Sequence, residues 1–563
     1  MIGEISPGMI LIVGALLVPL FPERLRGSFM LALPVLAFAY LLSLPYGEFG
    51  RVTLFDLPIV TLRVDKLSLL FGYVFLIAAL IGIIYSLHVR DTVQHVAGLI
   101  YAGSAVCAVF AGDLVTLFIF WEVIALASAF LIWAARTERA YRAGLRYVAI
   151  HVGSGVLLLT GVLLHYRQTG SLSFTSLGLV SPGTTLIFLA FGIKCAFPLL
   201  HNWLQDAYPE STVTGTVLLS AFTTKVAVYA LARGYAGTEI LVPIGAAMTA
   251  FPIFYAVIEN DLRRVLAYSL NNQLGFMVAG IGIGTELALN GAVAHAFADI
   301  LFKALLFMSM GAVLFRVGTV KGSELGGLYK SMPWTTGFCI VGAASISAFP
   351  LFSGFVTKSM VITAAMEQGY FWTWLVLLFA SAGVFHHAGI KIPYFAFFAH
   401  DSGKRCAEAP MNMLVAMAIT AVLCVAIGSL PWLFYRLLPF TAGFVPYSLD
   451  HVVGQCQLLF LSALAFTLLV RTGIYPPELR STNLDFDWFY RRLGRGLAES
   501  MGRTAATAWV ALAQASVEGT RRLATGLERH HGPDGILART LPTGAMAFWA
   551  FVMLAAYLIL SYM

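Results

Sequence analysis

Seven ionisable residues stand inside runs that are otherwise apolar, and their arrangement suits the handling of protons. Glu122 lies in LFIFWEVIALASAFLIW, Lys194 in FGIKCAFPLLHNW and Lys225 in LLSAFTTKVAVYAL. AHAFADILFKALLF sets His295, Asp299 and Lys303 four residues apart twice, and Lys358 follows Pro350 by about two helical turns. Positions i, i+4 and i+8 share one helix face, so the middle three form a titratable ladder about 12 Å long. An ionised side chain at mid-membrane costs roughly 2.5–3.5 kcal/mol on insertion scales, so four lysines imply a penalty on the order of 10 kcal/mol unless paired or hydrated. An ammonium in apolar surroundings holds its proton less firmly, and an approaching carboxylate restores the grip. A row of such groups can pass protons, because each affinity depends on the neighbour's charge. For one pair the simpler reading is a static buried ion pair; for seven groups spread over both halves it is a translocation path.

The elements that carry these residues must be membrane helices. Of 563 residues, 59% are hydrophobic, 13% aromatic and 11% charged, and the mean hydropathy is +0.84. Soluble domains carry about 25% charged residues; this composition excludes a soluble enzyme, a disordered regulator and a secreted disulfide scaffold. Apolar runs long enough to span fall at 7–21, 28–45, 66–87, 94–111, 114–134, 143–165, 184–204 and 211–232. They continue at 238–258, 264–284, 288–315, 335–366, 370–390, 411–435, 455–470 and 543–562. The fold class is an all-α polytopic membrane protein with about 14–16 transmembrane helices. Two runs are predicted to break, one at Pro198 and one in ISAFPLFSGF at Pro350, because proline removes a helix hydrogen bond. Transporters place such breaks at the ion path, although either proline alone is also compatible with a simple kink.

Basic residues set the orientation. With the N-terminus outside, the inside loops collect Arg24, Arg26, Arg136, Arg139, Arg142, Arg146, Arg263, Arg264, Lys404, Arg405 and the arginines from Arg471 to Arg539. Only Arg51, Arg63, Lys66, Arg167, Arg233 and Arg436 fall outside. This is the positive-inside pattern, so the net charge of +7 reports topology and gives no reason to expect nucleic acid as a partner. The N-terminal run, preceded by Glu4 and no basic residue, reads as a retained helix. Cys107, Cys195, Cys339, Cys406, Cys424 and Cys456 are scattered and suggest no metal centre. No flavin, quinone or cluster motif is recognisable, so neither a cofactor nor an enzymatic reaction of the chain itself is expected. From about Tyr475 to Thr540 the sequence is amphipathic, with Leu493, Leu497, Met501, Leu512, Leu523 and Leu527 near helical spacing. It suggests either one long helix lying at the cytoplasmic interface and reaching a neighbour, or a shorter surface anchor interrupted by Gly494, Gly496, Gly502 and Gly519.

Several segments together resemble one family. FWE at 120–122, K-x6-H-x-WL-x-DA from Lys194 to Ala207, DLRRVLAYS at 261–269, H-x7-KALLF from His295 and GF-x2-K ending at Lys358 are similar to the antiporter-like subunits of respiratory complex I, membrane-bound hydrogenases and Mrp-type cation/proton antiporters. The likeness covers roughly residues 60–400. AYPESTVTGTVLLSAFTTK and IKIPYFAFFAHDSGK most resemble the D-type subunit of Mrp-like systems, and the C-terminal pattern resembles the large complex I subunit with its lateral helix. The resemblance implies two inverted five-helix repeats, each with one broken helix. It implies Glu122 and Lys194 as a switching pair, Lys225 and the His295–Lys303 face as central carriers, and Lys358 as the terminal exchange site. Gln205 departs from the usual WLP, STVTGTVLLS replaces a proline-containing start, and Asp299 stands where a second histidine is usual. An acid there would pair with Lys303 and keep it charged, or offer an oxygen to a cation. His386 and His387 are candidates to extend the path, or plain interfacial histidines.

The expected organisation is N-terminal helices over 1–92, a first repeat over 93–235, a second over 236–400, additional helices over 401–474, the amphipathic segment over 475–540 and a final helix over 541–563. The expected role is proton translocation in exchange for a monovalent cation such as Na+, within a hetero-oligomer of membrane subunits in the lipid of a bacterial inner membrane. Two rivals stay open: a proton-pumping module of a redox-driven complex, and an ion-coupled membrane partner of a soluble enzyme.

Overall fold

The computed structural model describes residues 4–54, 57–476, 479, 483 and 485–563. Apolar runs become helices because a backbone in lipid must satisfy its own hydrogen bonds. In order they are α1 (Gly8–Leu17), α2 (Glu23–Ser43), α3 (Lys66–Ser86), α4 (Thr92–Val109), α5 (Leu114–Trp133), α6 (Glu138–Thr169), α7 (Pro182–Lys194) and α8 (Asn202–Ala207). Next come α9 (Val213–Ala221), α10 (Thr223–Gly234), α11 (Leu241–Ile258), α12 (Leu262–Ile283), α13 (Glu286–Val317), α14 (Pro333–Ile346), α15 (Ser353–Glu367) and α16 (Phe371–Val384). The one-turn α17 (Lys391–Pro393) lies between π turns at Phe385–Ile390 and Tyr394–Phe398; α18 (Met411–Ser429), α19 (Pro431–Tyr435), α20 (Leu449–Arg471), α21 (Arg495–His531) and α22 (Thr543–Tyr562) follow. Among the described residues twelve helices are long and apolar enough to cross a membrane. Every apolar run expected from the sequence falls on one helix or on consecutive helices. The chain is therefore a mostly helical polytopic membrane protein.

One element departs from an all-helical reading. Strands β1 (Gly47–Leu54) and β2 (Leu57–Val64) pair antiparallel from Gly47 opposite Val64 to Leu54 opposite Leu57. Arg63 of β2 donates to Glu48 Oε1 at 2.8 Å, and Val60 N donates to Asp113 Oδ2 at 2.8 Å. Asp113 also accepts from Val115 N and Thr116 N, so the hairpin is fastened to the N-cap of α5.

The region from α5 to α8 is echoed by the region from α12 to α15. Asp113 caps α5 and Asp261 caps α12; α6 and α13 each run 32 residues from a threonine N-cap to a left-handed glycine. CAFPLL at 195–200 and SAFPLF at 347–352 interrupt the helices that follow. Ala196 and Leu199 have φ of 60° and 71°, Ala348 and Leu351 of 59° and 73°. These are four of the five non-glycine residues at positive φ among the described residues, a conformation that costs an L-residue roughly 1–2 kcal/mol. In both breaks the phenylalanine N–H reaches back five residues, Phe197 to Gly192 O at 3.0 Å and Phe349 to Ala344 O at 3.1 Å. A further interruption, at Phe222, divides α9 from α10.

Residues Met1–Asp485 form one compact unit and Phe486–Met563 a second. In the second unit α21 is continuous for 37 residues, about 55 Å at 1.5 Å per residue, and no residue of it is buried. The glycines at 496, 502 and 519 do not break it; residues 477, 478, 480–482 and 484, at the opening of the amphipathic stretch, lie outside the described residues.

Candidate functional site

Each buried lysine is seated on a backbone carbonyl, and helix ends supply several of these acceptors. Lys194, the last residue of α7, is 1% exposed and donates to Trp121 O, its ammonium 4.3 Å from the Trp121 ring centre. Lys225 donates to Ser220 O at 3.1 Å, near the end of α9. Lys303 reaches Leu266 O at 3.4 Å. Lys358, on α15, donates at 2.9 Å to the carbonyl of Ile346, which ends α14, and lies 5.0 Å from the Phe276 ring centre. Carbonyls freed at a helix end have no intrahelical partner, so an ammonium satisfies both groups at once.

Carboxylates then distinguish the lysines. Glu122 adjoins Trp121, yet its Oε1 is buried with no hydrogen-bond partner among the described residues. Gly155 of α6 makes room for it: a Cβ there would stand 1.7 Å from Oε1. Lys194 and Glu122 are therefore neighbours without a direct ion pair. Asp299 behaves differently from expectation. Its partner is Lys225, whose ammonium stands 2.6 Å from Oδ2 with both side chains fully enclosed; the contact is an ion pair without hydrogen-bond alignment. Lys303, the expected partner, turns instead to α12. Helix α13 is buried over most of its length, so the ladder meets neighbouring helices, and the facing α10 lysine comes closer than the residue one turn on.

His295 joins a polar chain that the sequence reading missed. Its Nε2 donates to Gln273 Oε1 at 3.0 Å and its Nδ1 lies 3.0 Å from Thr357 Oγ1, beside Lys358. Gln273 Nε2 donates to Asn272 Oδ1 at 2.6 Å, and Asn272 donates to Thr249 O. Asn271, Asn272 and Gln273 are fully buried on α12; three amides inside an otherwise apolar span were the available signal. His151 was also passed over. It is fully buried on α6 between Tyr147 and Trp203, with ring centres 4.1 and 4.4 Å away. Neither ring nitrogen has a partner among the described residues, and Lys194 is the charged group facing it. Buried hydroxyls lie nearby: Tyr101 bonds Thr223 at 2.7 Å and Tyr147 bonds Ser128 at 2.8 Å.

The remaining candidates fall at the ends of helices. His387 is fully buried in the first π turn, and His386 stacks on Tyr475 at 5.5 Å. A further lysine, Lys391, is fully buried and donates to Ala256, Val257 and Glu259 carbonyls at 3.2, 2.7 and 2.7 Å, closing the end of α11. Burial raises the Glu259 carboxyl above the ordinary range against the pull of Arg264. Arg263, from DLRRVLAYS, holds Pro209 O and Ser211 O at 3.0 Å each and so fastens α12 to the loop before α9.

Residues 111–385 match the family described as NADH:quinone oxidoreductase/Mrp antiporter, TM. That stretch, a little under half of the chain, is similar to the family's transmembrane region. The chain is 28% identical over 520 residues to hydrogenase-4 component B of Escherichia coli (strain K12), covering 80% of this chain and 75% of that protein. It is 32% identical over 280 residues to the D-type subunit of the Na(+)/H(+) antiporter of Alkalihalophilus pseudofirmus, covering 46% of this chain and 57% of that one. The chain thus spans a little over half the length of that relative. Its fold is similar to a chain in the structure of the Mrp complex from Dietzia sp. DQ12-45-1b, with a TM-score of 0.68 and 21% identity over 79% of this chain and 97% of that one. The matched stretch reaches from just before α5 to the first π turn, and so contains Glu122, Lys194, Lys225, His295, Asp299, Lys303 and Lys358 but not His386, His387 or Lys391.

Proposed function

We propose that this protein translocates protons in exchange for a monovalent cation such as Na+, as one of several membrane subunits of a bacterial inner-membrane complex, with its N-terminus outside. The observation that carries the reading is the enclosed Lys225–Asp299 pair, which links the α5–α10 charges to those of α12–α15. Glu122 and Lys194 act as the switching pair. When α5 and α7 approach, the unpartnered carboxylate stabilises the ammonium; when they separate, Lys194 releases its proton towards Lys225. Lys225 then competes with Lys303 for Asp299, and the His295–Thr357 contact leads to Lys358 as the terminal exchange site. Naming of one relative as part of a Na(+)/H(+) antiporter supports the choice of cation.

A second reading, a proton-pumping module driven by a redox partner, is favoured by the hydrogenase-4 relative, which matches most of this chain. Inverted vesicles holding the intact complex separate the two. With a pH dye, Na+ should collapse an imposed pH gradient without any redox substrate, and Glu122→Ala or Lys194→Ala should abolish the response while the complex still assembles. Normal exchange in either variant would sink the switching pair. Proton movement that requires a redox substrate and ignores Na+ would transfer the function to the second reading.

A further inference from the structure

Away from the ion path, the ends of α2, α3 and α4 line an open cavity of about 490 Å³ with a strongly one-sided lining. Arg24, Arg26 and Arg90 contribute three guanidinium groups against the single carboxylate of Glu23, and His88 and His95 complete the polar wall. Burial lowers the proton affinity of His88. Arg24 and Arg90 are exposed and make no hydrogen bond or ion pair among the described residues. Arg26 is half-buried; it donates to Thr92 Oγ1 at 2.8 Å and Phe21 O at 3.3 Å, while its Nε is buried with no partner among the described residues.

Thr92 marks a boundary. On its other side lies a groove of about 400 Å³ whose wall is almost wholly apolar, formed by Pro19, Val93, Val96 and Ile100 with Leu126 and Phe130 of α5. A cationic cavity thus adjoins a greasy groove, with the Arg26–Thr92 hydrogen bond between them. A free anion would need only the first part, and a partner helix only the second. A molecule with an anionic head and a hydrocarbon tail uses both. Basic pockets among helix ends on the arginine-rich side of a membrane are suited to such headgroups.

We propose that these two spaces together hold one anionic phospholipid, its phosphate among Arg24, Arg26 and Arg90 and one acyl chain along α4 and α5. A guanidinium pairs phosphate oxygens in a planar fork, and Arg24 and Arg90, exposed and without a partner among the described residues, are free to form one. The lipid would tie α2 to α4 and α5, the last of which carries Glu122.

Native mass spectrometry of the delipidated complex, titrated with dioleoylphosphatidylglycerol or dioleoylphosphatidylcholine, tests the site. Phosphatidylglycerol should bind about ten-fold more tightly, and the joint substitution Arg24→Gln with Arg90→Gln should abolish that preference. Both side chains are exposed, so folding should be spared. Val96→Trp, which fills the groove and leaves the charges alone, should displace both lipids. Lys66→Gln, at the opposite end of α3, should change nothing. Equal binding of the two lipids, a preference surviving the double substitution, or its loss in Lys66→Gln would overturn the proposal. Millimolar inorganic phosphate competing as well as phosphatidylglycerol itself would also overturn it, by making the cavity a free-anion site.

Discussion

Two helix breaks share a backbone and divide the labour. AFPL at 196–199 and at 348–351 place alanine and leucine at nearly the same positive φ. Yet Lys194 precedes its break and reaches across to Trp121 O on α5, whereas Lys358 follows its break and reaches back to Ile346 O on the adjoining half-helix. The first ammonium takes its acceptor from a neighbouring helix that also carries Glu122; the second takes its acceptor from the break itself, with the Phe276 ring of α12 beside it. A repeated backbone therefore supports two kinds of lysine. One finds its carbonyl across a helix–helix contact, and the other finds it within its own broken helix. Carboxylates follow the same asymmetry: Glu122 waits unpaired beside the first lysine, while the other central acid, Asp299, is committed to the junction with Lys225.

The contrast fails most severely where the two regions join. Asp299→Ala leaves the Lys225 ammonium buried without its counter-ion, a change that costs roughly 3–5 kcal/mol, so thermal unfolding of the purified complex should shift sharply downward. Adding Lys225→Met should restore folding without restoring cation-dependent proton flux; unaltered stability of the single variant would mean that the pair does not join the regions.

A pair of glycines separates function from backbone. At Gly155 an added methyl meets the movable end of Glu122, 1.7 Å from Oε1, whereas at Gly354 it meets the Ser345 carbonyl at 1.9 Å. Gly155→Ala should leave the yield intact and lower flux by about ten-fold as the carboxylate is displaced. Gly354→Ala should destabilise the chain by roughly 1–3 kcal/mol, because backbone cannot step aside. Equal effects of the two on folding would erase the distinction between a side-chain obstacle and a backbone one.

The smallest effect concerns strain. Ala196→Gly and Ala348→Gly should each raise the unfolding midpoint modestly, by the equivalent of roughly 0.5–1 kcal/mol, since glycine adopts positive φ freely. Unequal shifts would show that the breaks, alike in φ, are unlike in stored strain.

Hydropathy made the helices legible because an apolar run has one stable solution in lipid; both breaks were legible because proline stood in them. The hairpin at Gly47–Val64 was not, since its strands are short and bridge two spans where a loop serves equally well. Asn271, Asn272 and Gln273 were overlooked inside a span read for its greasiness, and His151 for the same reason. The partner of Asp299 was beyond reach for a different cause. Sequence spacing shows neighbours on the same helix, such as Lys303, but not a lysine brought in from α10 by packing. The positions of the titratable groups were thus readable, and their pairings were not.

Seating lysines on main-chain oxygens has a consequence for inheritance. No point substitution can delete a carbonyl, so the acceptors for Lys194, Lys225, Lys303 and Lys358 persist whatever side chains drift around them. Only a change in the path of the chain can remove them. A lineage can therefore rewrite the acids, amides and histidines around each ammonium, while the seats themselves are handed down with the fold.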